Sequence, residues 1–234
     1  MMFTPPRRLP RPPYNPGVRD LVKGKRAWDA RESHATQREG FRGWHERGYL
    51  PHRDSPGLTQ FITYHLADAF PAELLGEWAA LLKIEEQRER RRQLEEYLDK
   101  GRGACWLRRP DLATVCEDAF RHFDIQRYTL RAWCLMPNHV HVLVLITTTP
   151  MAEVIKNWKG FTAYRCNQIL SRAESQFWAD EYWDTYMRDA EHERRTVRYI
   201  EKNPTKAGFV RTAKDWAWSS ARFRGEDGVL RIPR

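Results

Sequence analysis

His139 and His141 lie two apart in an apolar run, and their type and spacing make them the residues most suited to chemistry. Residues 135–146 read Leu-Met-Pro-Asn-His-Val-His-Val-Leu-Val-Leu-Ile. That composition is a strand's, and in a strand side chains two apart share a face. Both imidazoles then project together, while Val140, Val142 and Val144 point the other way. Neutral imidazoles on one face suit many divalent metals. The strand is a metal platform only if another element brings a further ligand and something for the metal to act on. The competing reading is a His-x-His pair that is merely satisfied within a core.

A helix some sixty residues later offers both missing parts. Tyr199 and Asn203 are four apart, hence on one helix face. A tyrosine hydroxyl can be a covalent nucleophile, and an amide oxygen can complete a metal shell. Packed across the sheet face that bears the histidines, this helix would bring Tyr199, Asn203, His139 and His141 together across an open cleft. The alternative makes Tyr199 a core aromatic and Asn203 a cap before Pro204. His65, on the first strand, is a further candidate, for which a structural role is preferred.

The elements that must position these residues can be read in order. Residues 1–16 hold six prolines with Arg7, Arg8 and Arg11, an extended basic arm that continues in polar form to residue 57. Residues 60–66 are rich in β-formers and predict a first strand. Pro71 opens a helix with Leu74, Leu75, Trp78, Leu81 and Leu82 on one face, followed by a charged run over 85–92. A second helix spans 110–123. A hairpin follows, 127–135 and 139–146, turning at Met136-Pro137-Asn138. Residues 151–170 predict a helix with Ile155, Trp158, Phe161 and Thr162 inward. Residues 177–188 predict a last strand, and 190–202 a last helix ended by Pro204. The order fits a split βαβ pattern: an α+β, ferredoxin-like antiparallel sheet with helices on one face and the tyrosine on a C-terminal helix. The hairpin strands are then expected at the centre, with the histidines on the face the helices leave open. The predicted organisation is an arm over 1–57, one domain over 58–224 and a short tail over 225–234.

Charge points to the partner. The formal net charge is +9, and it is concentrated in the flanks: +6 over residues 1–57 and +5 over 188–234, against −2 between them. Basic flanks favour a polyanion such as nucleic acid over a merely soluble basic surface. Four cysteines without a Cys-x-x-Cys pair argue against a cysteine zinc site and for reduced, buried thiols. No run has the length of a membrane span, so a cytoplasmic protein is expected.

The motifs together resemble a known family. Met136-Pro137-Asn138-His139-Val140-His141, a Trp-rich extended segment, Tyr199-Ile-Glu-Lys-Asn203-Pro204-Thr-Lys-Ala-Gly208-Phe-Val and Trp216-Ala-Trp218-Ser-Ser-Ala resemble the single-tyrosine HUH transposases, in their REP-associated tyrosine transposase branch. The resemblance covers about residues 58–223. It implies that His139 and His141 bind a divalent metal, Mg²⁺ or Mn²⁺, and that Tyr199 is the nucleophile. It also implies that Asn203 is a further ligand, where the insertion-sequence branch commonly has the longer glutamine. The implied activity is cleavage and rejoining of single-stranded DNA beside a hairpin through a 5′-phosphotyrosine link, by a monomer or homodimer. Lys156, Lys159, Arg165, Arg188, Arg195 and Arg198 are then candidates for DNA backbone contacts, with Trp and Tyr rings for stacking. A domesticated, non-catalytic DNA-binding protein is the alternative. Loss of His139, His141 or Tyr199 would mark it, and all three are present.

Overall fold

The computed structural model describes residues 40–46, 51–70, 87–172, 175–180 and 182–233. The helix predicted from Pro71 falls largely outside them. Six strands and four α-helices are described: β1 Gly43–Glu46, β2 Pro51–Asp54, β3 Thr59–His65, α1 Gln87–Asp99, α2 Pro110–His122, β4 Tyr128–Leu135, β5 His139–Ile146, α3 Met151–Ile169, β6 Trp183–Tyr186 and α4 Ala190–Lys206.

The main sheet is antiparallel with order β4-β5-β3-β6. This is the split βαβ order expected from the sequence, with one correction. Only β5 of the hairpin is central, because β3 inserts between the hairpin and β6, leaving β4 at the edge. Register determines what each face carries. His139 pairs with His65, His141 with Thr63 and Leu143 with Phe61. Ala132 and Cys134 of β4 lie opposite Leu143 and His141. One face therefore carries the histidines. The other carries Ile62, Tyr64, Trp133, Val140, Val142 and Val144, all buried in the main core.

Helices α2 and α3 cover the valine face. α2 begins at Pro110, where proline's missing N–H is harmless. Its buried Leu112, Cys116, Ala119 and Phe120 recur at helical spacing and meet Val154, Ile155 and Trp158 of α3. Phe161, expected inward on α3, is 53 % exposed. The buried stripe runs through 151, 154, 155, 158, 162 and 166, and position 161 lies at its rim.

Trp133 is the largest fully buried side chain of this core, and its indole N–H donates to the buried Glu117 carboxylate at 2.8 Å. Trp133→Ala is expected to destabilise the fold by about 3–5 kcal/mol, read as a lower denaturation midpoint with an unchanged slope. A loss below about 1 kcal/mol would mean that the core closes around the cavity.

The histidine face is covered as well, by α4 as the expected convergence requires and also by α1, which the expected pattern of helices on one face did not include. Ile200 of α4 packs on Phe61, Ala132, Cys134 and Leu143. Leu94, Tyr97 and Leu98 of α1 pack with Ala69 and Phe70, against Trp183. α4 also runs through Pro204 to Lys206 instead of stopping before the proline. Proline forfeits the hydrogen bond to the carbonyl four residues back. Here its ring is buried, and the last turn is held by Ala207 N–H to Asn203 O and Phe209 N–H to Pro204 O, both 2.9 Å.

Part of the segment read as an arm is folded. β1 and β2 pair antiparallel, Phe41 enters the main core, and His52 bonds to Asp184 of β6. Asp54 accepts the Met151 N–H at 2.9 Å, capping α3 from outside the helix. All four cysteines are buried free thiols. Among the described residues no helix is long and apolar enough to cross a membrane.

Candidate active site

The strand period and the hydrogen bonds of each ring position the two histidines. His139 Nδ1 lies 2.8 Å from Asn138 Oδ1, while the Asn138 amide nitrogen donates to Arg102 O at 3.0 Å. That second bond turns the Asn138 oxygen toward the imidazole, so Nδ1 of His139 carries the proton and Nε2 presents its lone pair. His141 Nδ1 lies 2.8 Å from the Thr63 hydroxyl, which accepts from it in the tautomer that leaves Nε2 bare. The two Nε2 atoms then face each other at 3.2 Å. Two lone pairs at that distance repel, and a cation between them reverses the sign. Donors about 2.1 Å from one ion stand about 3.0 Å apart at a right angle, close to what is observed. Burial lowers the His139 pKa to about 3 and the His65 pKa to about 4, keeping both rings neutral.

Helix α4 brings the other two groups. Asp189 starts the helix by accepting the His192 N–H, and Glu191 and Glu193 occupy the favourable first turn. Tyr199 stands edge-on to His141 with ring centroids 5.6 Å apart, and edge-on to Phe61 at 5.8 Å. One turn on, the Asn203 amide nitrogen lies 3.2 Å from His141 Nε2 and 3.4 Å from the Tyr199 hydroxyl. Asn203 is 1 % exposed, and its Oδ1 is buried with no hydrogen-bond partner among the described residues. A half-turn of the amide would present that oxygen to the imidazole instead. Asn203 lies inside α4 and is therefore not its cap.

These donors fit a six-coordinate divalent ion. Among the described residues no trio of His, Cys, Asp and Glu is set to hold a metal. The set is two imidazoles and, after a half-turn of the Asn203 amide, its oxygen, which leaves positions for water and substrate oxygens, as Mg²⁺ and Mn²⁺ accept.

Access is narrower than the open cleft predicted. His139 and His141 are fully buried, whereas Tyr199 is half-buried. Tyr199 lines a cleft of about 250 Å³ with Phe61, Glu95, Thr185, His192 and Arg195. His65 neighbours His139 but donates to Leu66 O and packs its ring on Phe70 and Trp183, a structural role.

The structure separates the basic candidates. Arg195 lines the cleft beside Tyr199, and Arg188 is exposed just before α4. Arg198 is exposed on α4, 3.6 Å from Glu191, and faces a broader groove along β4. Lys156, Lys159 and Arg165 lie on α3, which covers the opposite face of the sheet. The Lys159 ammonium donates to the carbonyls of Ala179 and Asp180, so it ties α3 to that segment.

Two residues near the site carried no signal in the sequence. Glu201 lies between Tyr199 and Asn203 on α4. Its carboxylate accepts from Ser220 Oγ at 2.7 Å and from Arg224 Nε at 2.8 Å, while Arg224 also donates to Arg131 O on edge strand β4. This clamp sets the height of α4 over the sheet. Asp99 ends α1 with its Oδ1 3.9 Å from His139 Nε2 and its Oδ2 3.1 Å from Lys206 Nζ.

Comparison with known proteins bears out the resemblance read from the motifs. Residues 104–203 match the family described as IS200-like transposases, a span that contains His139, His141, Tyr199 and Asn203. The chain is 28% identical over 99 residues to a putative REP-associated tyrosine transposase of Haemophilus influenzae, covering 38% of this chain and 56% of the relative. It is 28% identical over 124 residues to the REP-associated tyrosine transposase of Escherichia coli, covering 48% of this chain and 69% of the relative. The chain thus spans little more than half the length of the first of these relatives. A solved REP-associated tyrosine transposase bound to a REP hairpin aligns with a TM-score of 0.47 at 17% identity, covering 81% of this chain and 91% of that one.

Proposed function

We propose that this REP-associated tyrosine transposase-like chain cleaves and rejoins single-stranded DNA beside a hairpin, with Tyr199 as the nucleophile. The observation that carries the reading is the convergence, within one helical turn of α4, of Tyr199 and Asn203 onto the facing Nε2 atoms of His139 and His141. Hairpin DNA is the partner this resemblance implies, the curated relatives being REP-associated tyrosine transposases.

His139, His141 and Asn203 would hold a divalent cation, Mg²⁺ or Mn²⁺. Such an ion supplies charge neutralisation at the non-bridging phosphate oxygens. The protein's own groups do the rest. The Tyr199 oxygen forms a bond to phosphorus, the bond from phosphorus to the 3′ oxygen breaks, and the phenolic proton is released. The 3′ oxygen departs as a hydroxyl once protonated, and the downstream strand stays on Tyr199 through its 5′ phosphate. Attack by another 3′-OH reverses these bonds and rejoins strands without an external energy source. Asn203, within reach of the Tyr199 hydroxyl, orients the phenol. Arg195, lining the same cleft, orients the phosphate.

The test is a hairpin oligonucleotide with single-stranded flanks, labelled at either end, incubated with protein and Mn²⁺. The 3′-labelled strand is expected to become covalently attached, and the 5′-labelled strand to be released shortened with a free 3′-OH. Hairpin binding without any adduct would instead favour the non-catalytic DNA-binding reading. Arg195→Ala is expected to weaken DNA binding and to lower the slope of log affinity against log salt by about one, measured by fluorescence anisotropy. An unchanged slope would remove Arg195 from the contact surface.

A further inference from the structure

Asp99 lies outside the segment that matches the transposase family, at the C-terminal end of α1. The packing of Leu94, Tyr97 and Leu98 against Phe70 and Trp183 brings that end to the histidine face. Its side chain is 14 % exposed, and its Oδ1 is buried with no hydrogen-bond partner among the described residues. That oxygen points toward His139, 3.9 Å from the same Nε2 that faces His141. Across from it the Asn203 amide nitrogen lies 3.2 Å from His141 Nε2, and a half-turn of that amide would put its oxygen there. An unsatisfied carboxylate oxygen beside two facing imidazole lone pairs is costly to bury unless something positive occupies the space between them.

We infer that Asp99 is a positioning residue of the cation site: its carboxylate supplies the negative charge that the two neutral imidazoles and the amide lack, and Lys206 competes with the cation for it. The inference rests on the metal reading of His139 and His141. At 3.9 Å from His139 Nε2, Asp99 Oδ1 stands close enough for its charge to act on a cation held by the two histidines. Among the described residues Asp99 forms no ready-made metal trio with the histidines, and Lys206 Nζ holds its other oxygen at 3.1 Å. Lys206 is three residues beyond Asn203 on α4, so one helix carries both the amide ligand and the competing charge. An acidic partner just outside the ligand set commonly accounts for a 10–100-fold effect on metal affinity.

The two members of this ion pair therefore have opposite expected effects. Mn²⁺ affinity is measured by calorimetry on the DNA-free full chain, with thermal melts in EDTA as the control for folding. Asp99→Asn is expected to weaken Mn²⁺ binding by about tenfold. Lys206→Met, which removes the competing cation, is expected to bind Mn²⁺ at least as tightly as wild type. Equal affinity in Asp99→Asn and wild type overturns the inference, as does an equal loss in both variants, which is what a purely structural ion pair gives. His139→Ala separates this outcome from failure of the parent reading. If that variant binds Mn²⁺ as wild type does, or if wild type binds none, the metal site itself is overturned and Asp99 with it.

Discussion

Tyr199→Phe is expected to bind hairpin DNA as wild type does and to form no covalent adduct. The substitution removes one oxygen and keeps the ring. The edge contacts with His141 and Phe61 involve the ring and survive, so the packing of α4 on the sheet is retained. What is lost is the atom that forms the bond to phosphorus. Removing a covalent nucleophile typically costs about 10⁴–10⁶ in rate, which puts cleavage below detection in an ordinary assay. Denaturing gel electrophoresis of the 3′-labelled strand reads the adduct, and anisotropy reads binding. Adduct formation by the variant at even one-hundredth of the wild-type rate would take the role away from Tyr199.

His141→Ala should separate the metal from the fold. Wild type is expected to gain stability on addition of Mn²⁺, by about 2.7 kcal/mol at a concentration one hundred times the dissociation constant. The variant should gain none, because one of the two facing Nε2 donors is gone and the Asn203 amide loses its neighbour. Its metal-free stability should also fall. His141 is fully buried between Thr63, Phe61 and Tyr199, and truncation leaves both a cavity and a Thr63 hydroxyl without its imidazole. Comparing melts with and without Mn²⁺ keeps the two effects apart. A variant stabilised by Mn²⁺ as strongly as wild type would place any metal elsewhere.

Much of this arrangement was legible in the sequence because it rests on periodicity. Strand period two puts His139 and His141 on one face and Val140, Val142 and Val144 on the other, and helix spacing puts Tyr199 and Asn203 on one side of α4. The order of elements then leaves few topologies. What was not legible depends on long-range contacts between polar side chains. Asp99 lies beyond the charged run of residues 85–92 and carries no signal of its own, and only the packing of α1 onto Phe70 and Trp183 delivers it to His139. Glu201 carries no signal in the sequence because its partners, Ser220 and Arg224, return from the C-terminal segment to meet it. Pro204 looked like a helix stop because local propensity ignores burial of its ring. The pairing of β1 with β2 was hidden in a basic stretch, since the pair is held in place by Asp184 on β6 and by the start of α3.

The central claim is that a hydroxyl on α4, beside two metal-binding histidines, becomes covalently joined to DNA. The most direct measurement is mass spectrometry of the adduct trapped after incubation with a hairpin oligonucleotide and Mn²⁺, then digested with protease and nuclease. The account predicts one modified peptide, carrying a nucleotide 5′-phosphate on Tyr199. Modification at any other residue, or no modified peptide from a reaction in which the strand has been cut, would contradict it.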